Sequence, residues 1–244
     1  VDGLDVASAG ELKVAVETGL DPLKISFAGP GKMDWELTQA ITSGATLYLE
    51  SENEMERTAR IGNELGKRPH VAVRINPDFE LKSSGVKMGG GPRPFGVDSE
   101  RVPAMLARLG ELDLDFRGFH IYSGSQNLSA DSIIEAQNKT FDLCFLLAGS
   151  APQPVSVFNI GGGFGLPLFP GEVNLDLSPI ADNLAERMRD AAGREPQARI
   201  AIELGRYLVG EAGLYVCEVV DRKVSRGEVF IITNGGLHQH LAAS

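Results

Sequence analysis

Short apolar segments alternate with longer segments of helical pattern along most of the chain, and this alternation constrains the fold more than any other feature. Segments 45–50 (ATLYLE) and 70–76 (HVAVRIN) are short and almost continuously apolar, which is typical of parallel strands buried on both faces. Such strands, joined by helices, form βαβ units. Seven strand candidates precede Arg206, and a (β/α)8 barrel has eight strands. We therefore predict an α/β fold, a TIM barrel that lacks its first strand. The predicted strands are 4–7, 24–29, 45–50, 70–76, 116–122, 155–160 and 199–204, the predicted helices are 33–43, 52–65, 99–109, 129–148 and 179–192, and the Gly/Pro-rich segment 85–96 is a predicted loop.

The pattern changes after Tyr207. Segments 212–220 and 229–233 are predicted strands, and only a short polar stretch lies between them. Strands joined by so short a connection pair antiparallel. We therefore predict a barrel domain over 1–211 and the start of a C-terminal β domain over 212–244. Because the chain begins without methionine and ends abruptly, we expect it to be part of a longer protein.

The charge balance limits the partners of the chain. Its 33 acidic and 23 basic residues give a formal net charge of -10, which repels the phosphates of nucleic acids and of anionic lipids. No apolar run approaches the roughly 20 residues that span a bilayer. The two cysteines are too few for a disulfide framework or a structural zinc site. We therefore expect a cytoplasmic protein without a nucleic-acid, membrane or metal partner.

A glycine-rich segment follows the predicted strand 155–160. Its sequence over 160–165 is Ile-Gly-Gly-Gly-Phe-Gly, which lets backbone N–H groups approach an anion closely, as phosphate-binding loops do. It matches neither the dinucleotide-binding pattern nor the P-loop. Because TIM barrels bind phosphate at their late loops, we predict an anion site at Gly162 and Gly163. The alternative is a tight turn after a buried strand.

The segment ELGRY ends the last predicted barrel strand. Active sites of TIM barrels lie at the C-terminal ends of the strands, so we expect the Glu203 carboxylate to face the site. Gly205 and Arg206 are expected to complete a phosphate or carboxylate site, with the guanidinium as a bidentate donor. The alternative is a structural ion pair between Glu203 and Arg206.

Two other strands carry candidate polar residues. The segment HIYSGSQ offers the His120 imidazole, the Tyr122 ring and the Ser125 hydroxyl at a strand end, although a hydrogen-bonded core histidine is an equally good interpretation. Arg74 lies inside an apolar strand, where a buried arginine needs an anionic or strongly accepting partner. Asp5 is the expected partner, either in a plain salt bridge or as support for the site.

Taken together, these segments resemble the fold-type III pyridoxal-phosphate decarboxylases, the family of the diaminopimelate, ornithine and arginine decarboxylases. The resemblance extends over essentially the whole chain. The matching segments are 5–11 (DVASAGE), 74–77 (RINP), 93–96 (RPFG), 120–126 (HIYSGSQ), 159–164 (NIGGGF) and 203–207 (ELGRY). Residues 236–244 (GLHQHLAAS) further resemble a bacterial subgroup associated with exosortase and exopolysaccharide gene systems.

The resemblance implies an alanine racemase-like barrel and a homodimer that decarboxylates an amino acid with pyridoxal 5′-phosphate. It implies that Glu203 binds the pyridine nitrogen and keeps it protonated. Tyr122 takes the position of the usual histidine that stacks on the cofactor ring, and His120 lies nearby and assists. Asp5 and Arg74 support the cofactor. The residues implied to hold the phosphate are Ser125, Gly162, Gly163, Gly205 and Arg206.

The chain departs from the family pattern at the Schiff-base lysine. That lysine lies before the Asp5 segment in the family, and none of the eight lysines of this chain matches it. The catalytic cysteine that the family contributes across its dimer interface also has no match, since Cys217 does not fit its position. We therefore expect this chain alone to be inactive. Two alternatives to a decarboxylase remain, an amino-acid racemase, which would place an arginine rather than Glu203 against the pyridine nitrogen, and a non-catalytic pyridoxal-phosphate-binding protein.

Overall fold

The computed structural model describes residues 1–80 and 84–236. Two compact units divide the chain, Val1–Tyr207 and Leu208–Ser244. No described helix is long and apolar enough to cross a membrane. Within the described ranges, no group of three or more His, Cys, Asp or Glu side chains is arranged to hold a metal ion.

The first unit is a TIM-barrel-like sheet of seven parallel strands. The strands follow one another in the order β1-β2-β3-β4-β7-β9-β10, and the short β6 pairs with β4 outside this path. Their bounds are β1 Leu4–Val6, β2 Ile25–Phe27, β3 Thr46–Leu49, β4 His70–Asn76, β6 Val97–Asp98, β7 Asp115–Ile121, β9 Val157–Gly162 and β10 Arg199–Glu203. Among the described strands, β1 and β10 each pair with a single neighbour, so the sheet is not closed. The predicted barrel class is confirmed.

Six helices accompany these strands, as βαβ connections require. Each begins where the sequence offers a first-turn signal, such as the Ser51 hydroxyl, which accepts a hydrogen bond from the Glu54 N–H at the start of α3. Left-handed glycines end two of them, Gly44 after α2 and Gly66 after α3. The helices are α1 Ala9–Glu17, α2 Asp34–Ser43, α3 Glu52–Leu65, α4 Val102–Leu109, α5 Ala130–Ala148 and α6 Ser178–Arg194, and a short α7, Arg206–Val209, follows β10.

Alternate residues of the barrel strands have opposite chemistry, and this pattern positions the site. Residues on one face of each strand are apolar and pack in the main core with the helices, for example Phe27, Leu49 and Phe158. Because side chains alternate between the two faces of a strand, the residues between them lie on the other face. That inner face is largely polar. Its members include Asp5, Ser26, Tyr48, Arg74, His120, Asn159 and Glu203.

Several predicted elements differ from the observed ones. Residues 84–87 form a strand, β5, that pairs antiparallel with β8 (Gly124–Asn127), although this stretch falls in the predicted Gly/Pro-rich loop. Its pairing partner lies about 40 residues away in the sequence, so no local pattern marks it. The predicted helix 99–109 begins only at Val102. The predicted strand 212–220 is wrong over residues 212–218, because regular structure begins at Val219.

The second unit contains an antiparallel hairpin. Its strands are β11 (Val219–Ser225) and β12 (Glu228–Thr233). Arg226 and Gly227 connect them with φ angles of 51° and 91°, the double positive φ that fits the right-handed twist of a two-residue hairpin. The predicted domain boundary after residue 211 remains a prediction. Residues 237–244, which carry most of the segment resembling the exosortase-associated subgroup, lie outside the described residues.

Candidate active site

Three inner-face residues of adjacent central strands lie side by side. In the parallel register, Arg74 of β4 pairs with His120 of β7, and His120 pairs with Asn159 of β9. Glu203 ends β10, which pairs with β9. The sequence therefore places a cation, an imidazole, an amide and a carboxylate next to one another at the C-terminal half of the sheet, where TIM-barrel sites lie.

Glu203 contacts two of these neighbours through the same oxygen. Asn159 Nδ2 donates to Glu203 Oε2 at 2.9 Å, and His120 Nε2 lies 3.1 Å from that oxygen. This contact is close but does not have the alignment of a hydrogen bond, and it is an ion pair only when the imidazole is protonated. Burial opposes the charge of Glu203, but the charge and the contact of His120 and the bond from Asn159 outweigh it and lower the pKa of Glu203. The carboxylate is therefore ionised at neutral pH.

His120 is held by a second aromatic ring. Its side chain is only 2% exposed, and it stacks on Tyr48 with the ring centroids 4.4 Å apart. Neither ring nitrogen has a well-aligned hydrogen-bond partner among the described residues. A buried polar atom without a partner costs free energy, and such atoms are common where a ligand or ion completes a site.

Asp5 lies on the edge strand β1 and faces the same group. Ser26 Oγ donates to Asp5 Oδ1 from the neighbouring strand β2. Although the residue is partly open to solvent at the sheet edge, burial of its carboxylate and the nearby negative charge of Glu203 raise the pKa of Asp5 to about 7, against the opposing charge of His120. We call Asp5, Tyr48, His120, Asn159 and Glu203 the Glu203 cluster.

A second group of buried charges lies at the ends of β2, β3 and β4. Lys32 Nζ donates to Glu54 Oε1 at 2.6 Å and to the carbonyl oxygens of Gly29 and Tyr48. Burial raises the pKa of Glu54, and the Lys32 charge opposes that rise. Arg74 Nη1 donates to Glu50 Oε1 at 2.8 Å. We call Lys32, Glu50, Glu54 and Arg74 the Glu50 cluster.

The structure corrects two of the predicted pairings. Arg74 pairs with Glu50 rather than with Asp5, and its guanidinium also lies over the Phe95 ring at 4.9 Å. Arg74 is therefore an element of the Glu50 cluster that also helps to lower the pKa of Glu203 by its charge. The alternative ion pair between Glu203 and Arg206 is also wrong, because Glu203 pairs with His120.

The residues predicted to bind an anion converge from three segments. A side chain at Gly163 would overlap the carbonyl oxygen of Gly124, so the glycine loop lies directly against the Gly124–Ser125 backbone. Arg206 Nη1 lies 3.4 Å from Gln126 Oε1. The structure thus brings Gly163, Ser125 and Arg206 into one neighbourhood, and anion binding there stays a prediction.

The glycines of this loop also have a packing role. A side chain at Gly162 would overlap the carbonyl oxygen of Glu203, and Gly163 has a positive φ of 79°. Close backbone approach and a left-handed conformation both require glycine at such positions. Gly205 is exposed and has open space around it. The tight-turn alternative therefore accounts for Gly162 and Gly163 as well as anion binding does.

Tyr122 lies beside the same segments and the Glu203 cluster. Burial and the charge of Glu203 raise the pKa of Tyr122, while the Ser125 side chain, Arg206 and Arg74 lower it. The phenol is therefore neutral. It lies near the Glu203 cluster on one side and near Ser125 and Arg206 on the other. It donates a hydrogen bond and offers an aromatic face, but it does not carry the positive charge of an imidazolium.

Sequence reasoning missed four polar residues of these clusters. Tyr48 and Glu50 lie in and directly after β3, whose sequence is otherwise apolar, and Lys32 and Glu54 lie near helix starts. The signal for Tyr48 and Glu50 was a polar residue at the C-terminal end of a buried strand, and Lys32 and Glu54 had no such signal. Asn159 was identified only as the first residue of the matching segment 159–164.

Comparison with known proteins agrees with this arrangement. Residues 2–210 match the family profile described as "Pyridoxal-dependent decarboxylase, pyridoxal binding domain". The chain is 41% identical to the L-glutamyl-[BtrI acyl-carrier protein] decarboxylase of Niallia circulans and 31% identical to the diaminopimelate decarboxylase of Aquifex aeolicus. Each match covers 99% of this chain and 57% of the relative.

A solved structure shares the fold. The diaminopimelate decarboxylase from Helicobacter pylori complexed with L-lysine superimposes with a TM-score of 0.81 at 27% identity, over 98% of this chain and 59% of that chain. The chain therefore spans slightly less than three fifths of the length of these relatives.

Proposed function

The chain belongs to the pyridoxal-dependent decarboxylase family, and from this premise we propose that the full-length protein decarboxylates an amino acid in the manner of a diaminopimelate decarboxylase. The observation that carries the proposal is the Glu203 carboxylate. It ends the last parallel strand, it is held by His120 and Asn159, and its pKa is lowered despite burial. A buried carboxylate kept ionised by its neighbours is the group required to bind a protonated pyridine nitrogen.

The residues present fit pyridoxal 5′-phosphate. Both contacts of Glu203 fall on Oε2, so Oε1 has no hydrogen-bond donor within the described ranges. The Arg206 guanidinium is exposed, and its one described hydrogen bond, to Gln126, is long. The site therefore combines an available anionic oxygen, a cation and the neutral ring of Tyr122, which match the pyridine nitrogen, the phosphate and the ring face of this cofactor.

When bound, the cofactor supplies an electron sink for the bond that breaks at the α-carbon of an amino acid. Glu203 would keep the proton on the pyridine nitrogen, because an ionised carboxylate stabilises the pyridinium. His120 and Asn159 hold Glu203 in its ionised form and fix its orientation. Tyr122 would present its ring to the cofactor, and an aromatic ring can stack on it.

The phosphate would bind where the three segments converge. Backbone N–H groups of glycines and one guanidinium are the usual ligands of a phosphate in a barrel. The Arg206 charge would offset part of the phosphate charge. The residues that would hold the phosphate are Ser125, Gly162, Gly163, Gly205 and Arg206. Asp5 and Arg74 would support the cofactor indirectly, Asp5 as a member of the Glu203 cluster and Arg74 as a member of the Glu50 cluster.

The residue that faces the pyridine nitrogen distinguishes a decarboxylase from a racemase. A racemase of this barrel class would place an arginine there, whereas the residue at the end of β10 is Glu203. Arg74, a buried arginine on the inner face of the sheet, forms an ion pair with Glu50. These observations favour decarboxylation.

The substrate has two candidates. The relatives include diaminopimelate decarboxylases, which supports a free amino acid. The 41% identity to a decarboxylase named for L-glutamyl-[BtrI acyl-carrier protein] favours, as a second candidate, an amino acid attached to a carrier protein. Our proposal includes a homodimer, as the family resemblance implies, and a location in the cytoplasm, as the low cysteine count indicates.

The proposal is tested by release of carbon dioxide from the full-length protein. We expect release that depends on added pyridoxal 5′-phosphate with free meso-diaminopimelate, L-ornithine or L-arginine, or with glutamate loaded on a carrier protein. Boiled protein and cofactor alone provide the background. Release from none of these substrates, with the cofactor demonstrably bound, would favour the non-catalytic binding protein, and racemisation without carbon dioxide would favour the racemase.

A further inference from the structure

Gln126 lies in β8 with a left-handed backbone, between the glycine-rich segment 160–165 and Arg206. Its φ is 58°, and among the described residues the only other non-glycine with a positive φ is Arg226 in the hairpin turn. A left-handed conformation costs free energy for a residue that has a Cβ, and it persists only where the surrounding contacts over-determine it. The contacts of Gln126 therefore indicate what this conformation serves.

The Gln126 carboxamide binds the residue that follows the last glycine of the segment. Its Nε2 donates to the Leu166 carbonyl oxygen, and its Oε1 accepts from the Leu166 N–H at 3.4 Å. Only one orientation of the amide satisfies both bonds, because its nitrogen donates and its oxygen accepts. The side chain thus pairs with Leu166 as a neighbouring strand would, and it holds the end of the glycine-rich segment in place.

The backbone next to Gln126 binds the same segment. Asn127 N–H donates to the Gly163 carbonyl oxygen at 2.9 Å, and Gly165 N–H donates to the Asn127 carbonyl oxygen at 2.8 Å. Together with the side-chain bonds to Leu166, these contacts fix β8 against the glycine-rich segment. They are the contacts that over-determine the left-handed conformation of Gln126.

The same carboxamide oxygen faces a cation. Arg206 Nη1 lies 3.4 Å from Gln126 Oε1. Arg206 is exposed, and no acidic side chain in the described part of the chain forms an ion pair with it, whereas Arg74 is paired with Glu50. A neutral amide oxygen can orient a guanidinium without neutralising its charge, so Arg206 keeps that charge for an anion.

We propose that Gln126 is a positioning residue of the phosphate site, which orients Arg206 and holds the glycine-rich segment so that both meet the same phosphate. The inference deepens the proposed function and rests on it, because the phosphate is that of the proposed cofactor. A glutamine fits this role because its amide donates to the Leu166 carbonyl and accepts from Arg206. A glutamate in its place would lose the donor and would bring a negative charge close to the phosphate.

The test compares the binding of two probes, pyridoxine 5′-phosphate and pyridoxine, to the full-length protein from which bound cofactor has been removed. The probes differ only in the phosphate group, so the ratio of their dissociation constants measures what the phosphate contacts contribute. Both carry an alcohol in place of the aldehyde, so neither forms a Schiff base with a lysine. Isothermal titration calorimetry gives the two constants, and urea denaturation gives the free energy of unfolding of each variant.

The decisive variant is Gln126→Asn. Asparagine tolerates a left-handed backbone better than glutamine, but its side chain is one methylene too short to keep the contacts with Leu166 and Arg206. We expect the dissociation constant of pyridoxine 5′-phosphate to rise about tenfold, as for the loss of one hydrogen bond to a charged group. The dissociation constant of pyridoxine should stay the same. The free energy of unfolding should change little, because the relieved backbone offsets the lost bonds.

Two further variants complete the test. Gln153→Asn is the matched control, since Gln153 also donates to a backbone carbonyl, that of Leu114, but lies outside the phosphate segments. It should leave both dissociation constants unchanged. Gln126→Glu keeps the length of the side chain, and we expect it to weaken the binding of pyridoxine 5′-phosphate more than Gln126→Asn does, again without an effect on pyridoxine.

The outcomes separate this inference from the proposed function. An unchanged ratio of the two dissociation constants in both Gln126 variants would overturn the inference alone. Equal weakening of both probes together with a lowered free energy of unfolding would also overturn it, and would make Gln126 a purely structural residue. Failure of the unsubstituted full-length protein to bind pyridoxine 5′-phosphate would overturn the proposed function and this inference with it.

Discussion

The Glu50 cluster and the Glu203 cluster lie in the same barrel unit, yet they differ in how their carboxylates are balanced by cationic groups. The Glu50 cluster contains two acids and two bases, Lys32, Glu50, Glu54 and Arg74. The Glu203 cluster contains two acids and one imidazole. Charges in the first are matched in number, whereas the second has an excess of acid that must share a proton or await a cationic ligand.

Hydrogen bonding shows the same contrast. Both oxygens of Glu50 accept bonds, from Arg74 and Gly29 N–H on one and from Gly96 N–H on the other. The oxygens of Glu54 are likewise both occupied. The described donors to Glu203 instead share one oxygen. The Glu50 cluster, in which every carboxylate oxygen accepts a bond, fixes the strand ends and loops. We call it the closed cluster. The Glu203 cluster, which we call the open cluster, keeps a carboxylate oxygen that can bind a ligand.

Removing one charged side chain from the Glu50 cluster should have the largest effect on stability. Lys32→Met removes the only buried lysine in the described part of the chain and leaves Glu54 as an unpaired buried acid. Loss of one partner of a buried ion pair costs about 3–5 kcal/mol. We expect the free energy of unfolding, measured by urea denaturation at pH 7, to fall by that amount.

Two variants sharpen this comparison. Replacing both charges, in Lys32→Met with Glu54→Leu, should recover most of the loss, because replacing a buried pair with apolar groups is often neutral. Lys139→Met removes an exposed pair with Glu135 and should cost no more than about 0.5 kcal/mol. A loss for Lys32→Met as small as that for Lys139→Met would mean that the two clusters do not differ as described.

In the Glu203 cluster we expect a smaller effect on the free energy of unfolding, and one that depends on pH. The raised pKa of Asp5, about 7, means that the folded state binds a proton more tightly than the unfolded state. Its contribution to stability is therefore complete below about pH 4 and is lost as the pH rises to about 7. We expect Asp5→Asn to flatten the fall in unfolding free energy over this range, by less than about 1 kcal/mol because the edge strand is exposed to solvent.

Urea denaturation at pH 4, 5, 6 and 7 measures this slope. Asp176→Asn, which changes an exposed aspartate outside both clusters, is the control and should leave the slope unchanged. A slope that is the same in Asp5→Asn and in the unsubstituted chain would show that Asp5 takes up no proton on folding.

The sequence predicts much of this architecture because the helix-facing residues of the strands are apolar. Segments such as 45–50 and 155–160 carry enough Val, Ile, Leu and Phe to identify buried strands, and strand ends then point to His120 and Glu203. Pairings across the barrel interior could not be predicted. Arg74 and Asp5 are both polar interruptions of apolar strands, and only the fold shows that Glu50 is the closer partner of Arg74.

The same limit explains the wrong strand at 212–218. Apolar residues such as Leu214 and Val216 favour strand locally, yet regular structure there begins only at Val219, where a partner strand is available through the turn at Arg226 and Gly227. Local preference for strand is weak without a neighbour to bond. Conversely, β5 forms in a segment rich in glycine because β8 provides that neighbour.

The central claim, that Glu203 is held ionised for binding and catalysis rather than for stability, is tested most directly by the turnover of Glu203→Gln in the full-length protein. Turnover is counted per folded, cofactor-loaded molecule, with the exposed Glu186→Gln as the matched control. We predict a fall in kcat of about 10²–10³, with only a modest loss of cofactor affinity and a thermal unfolding temperature close to that of the unsubstituted protein. Unchanged kcat together with a lowered unfolding temperature would contradict the account and would make Glu203 a structural acid like Glu54.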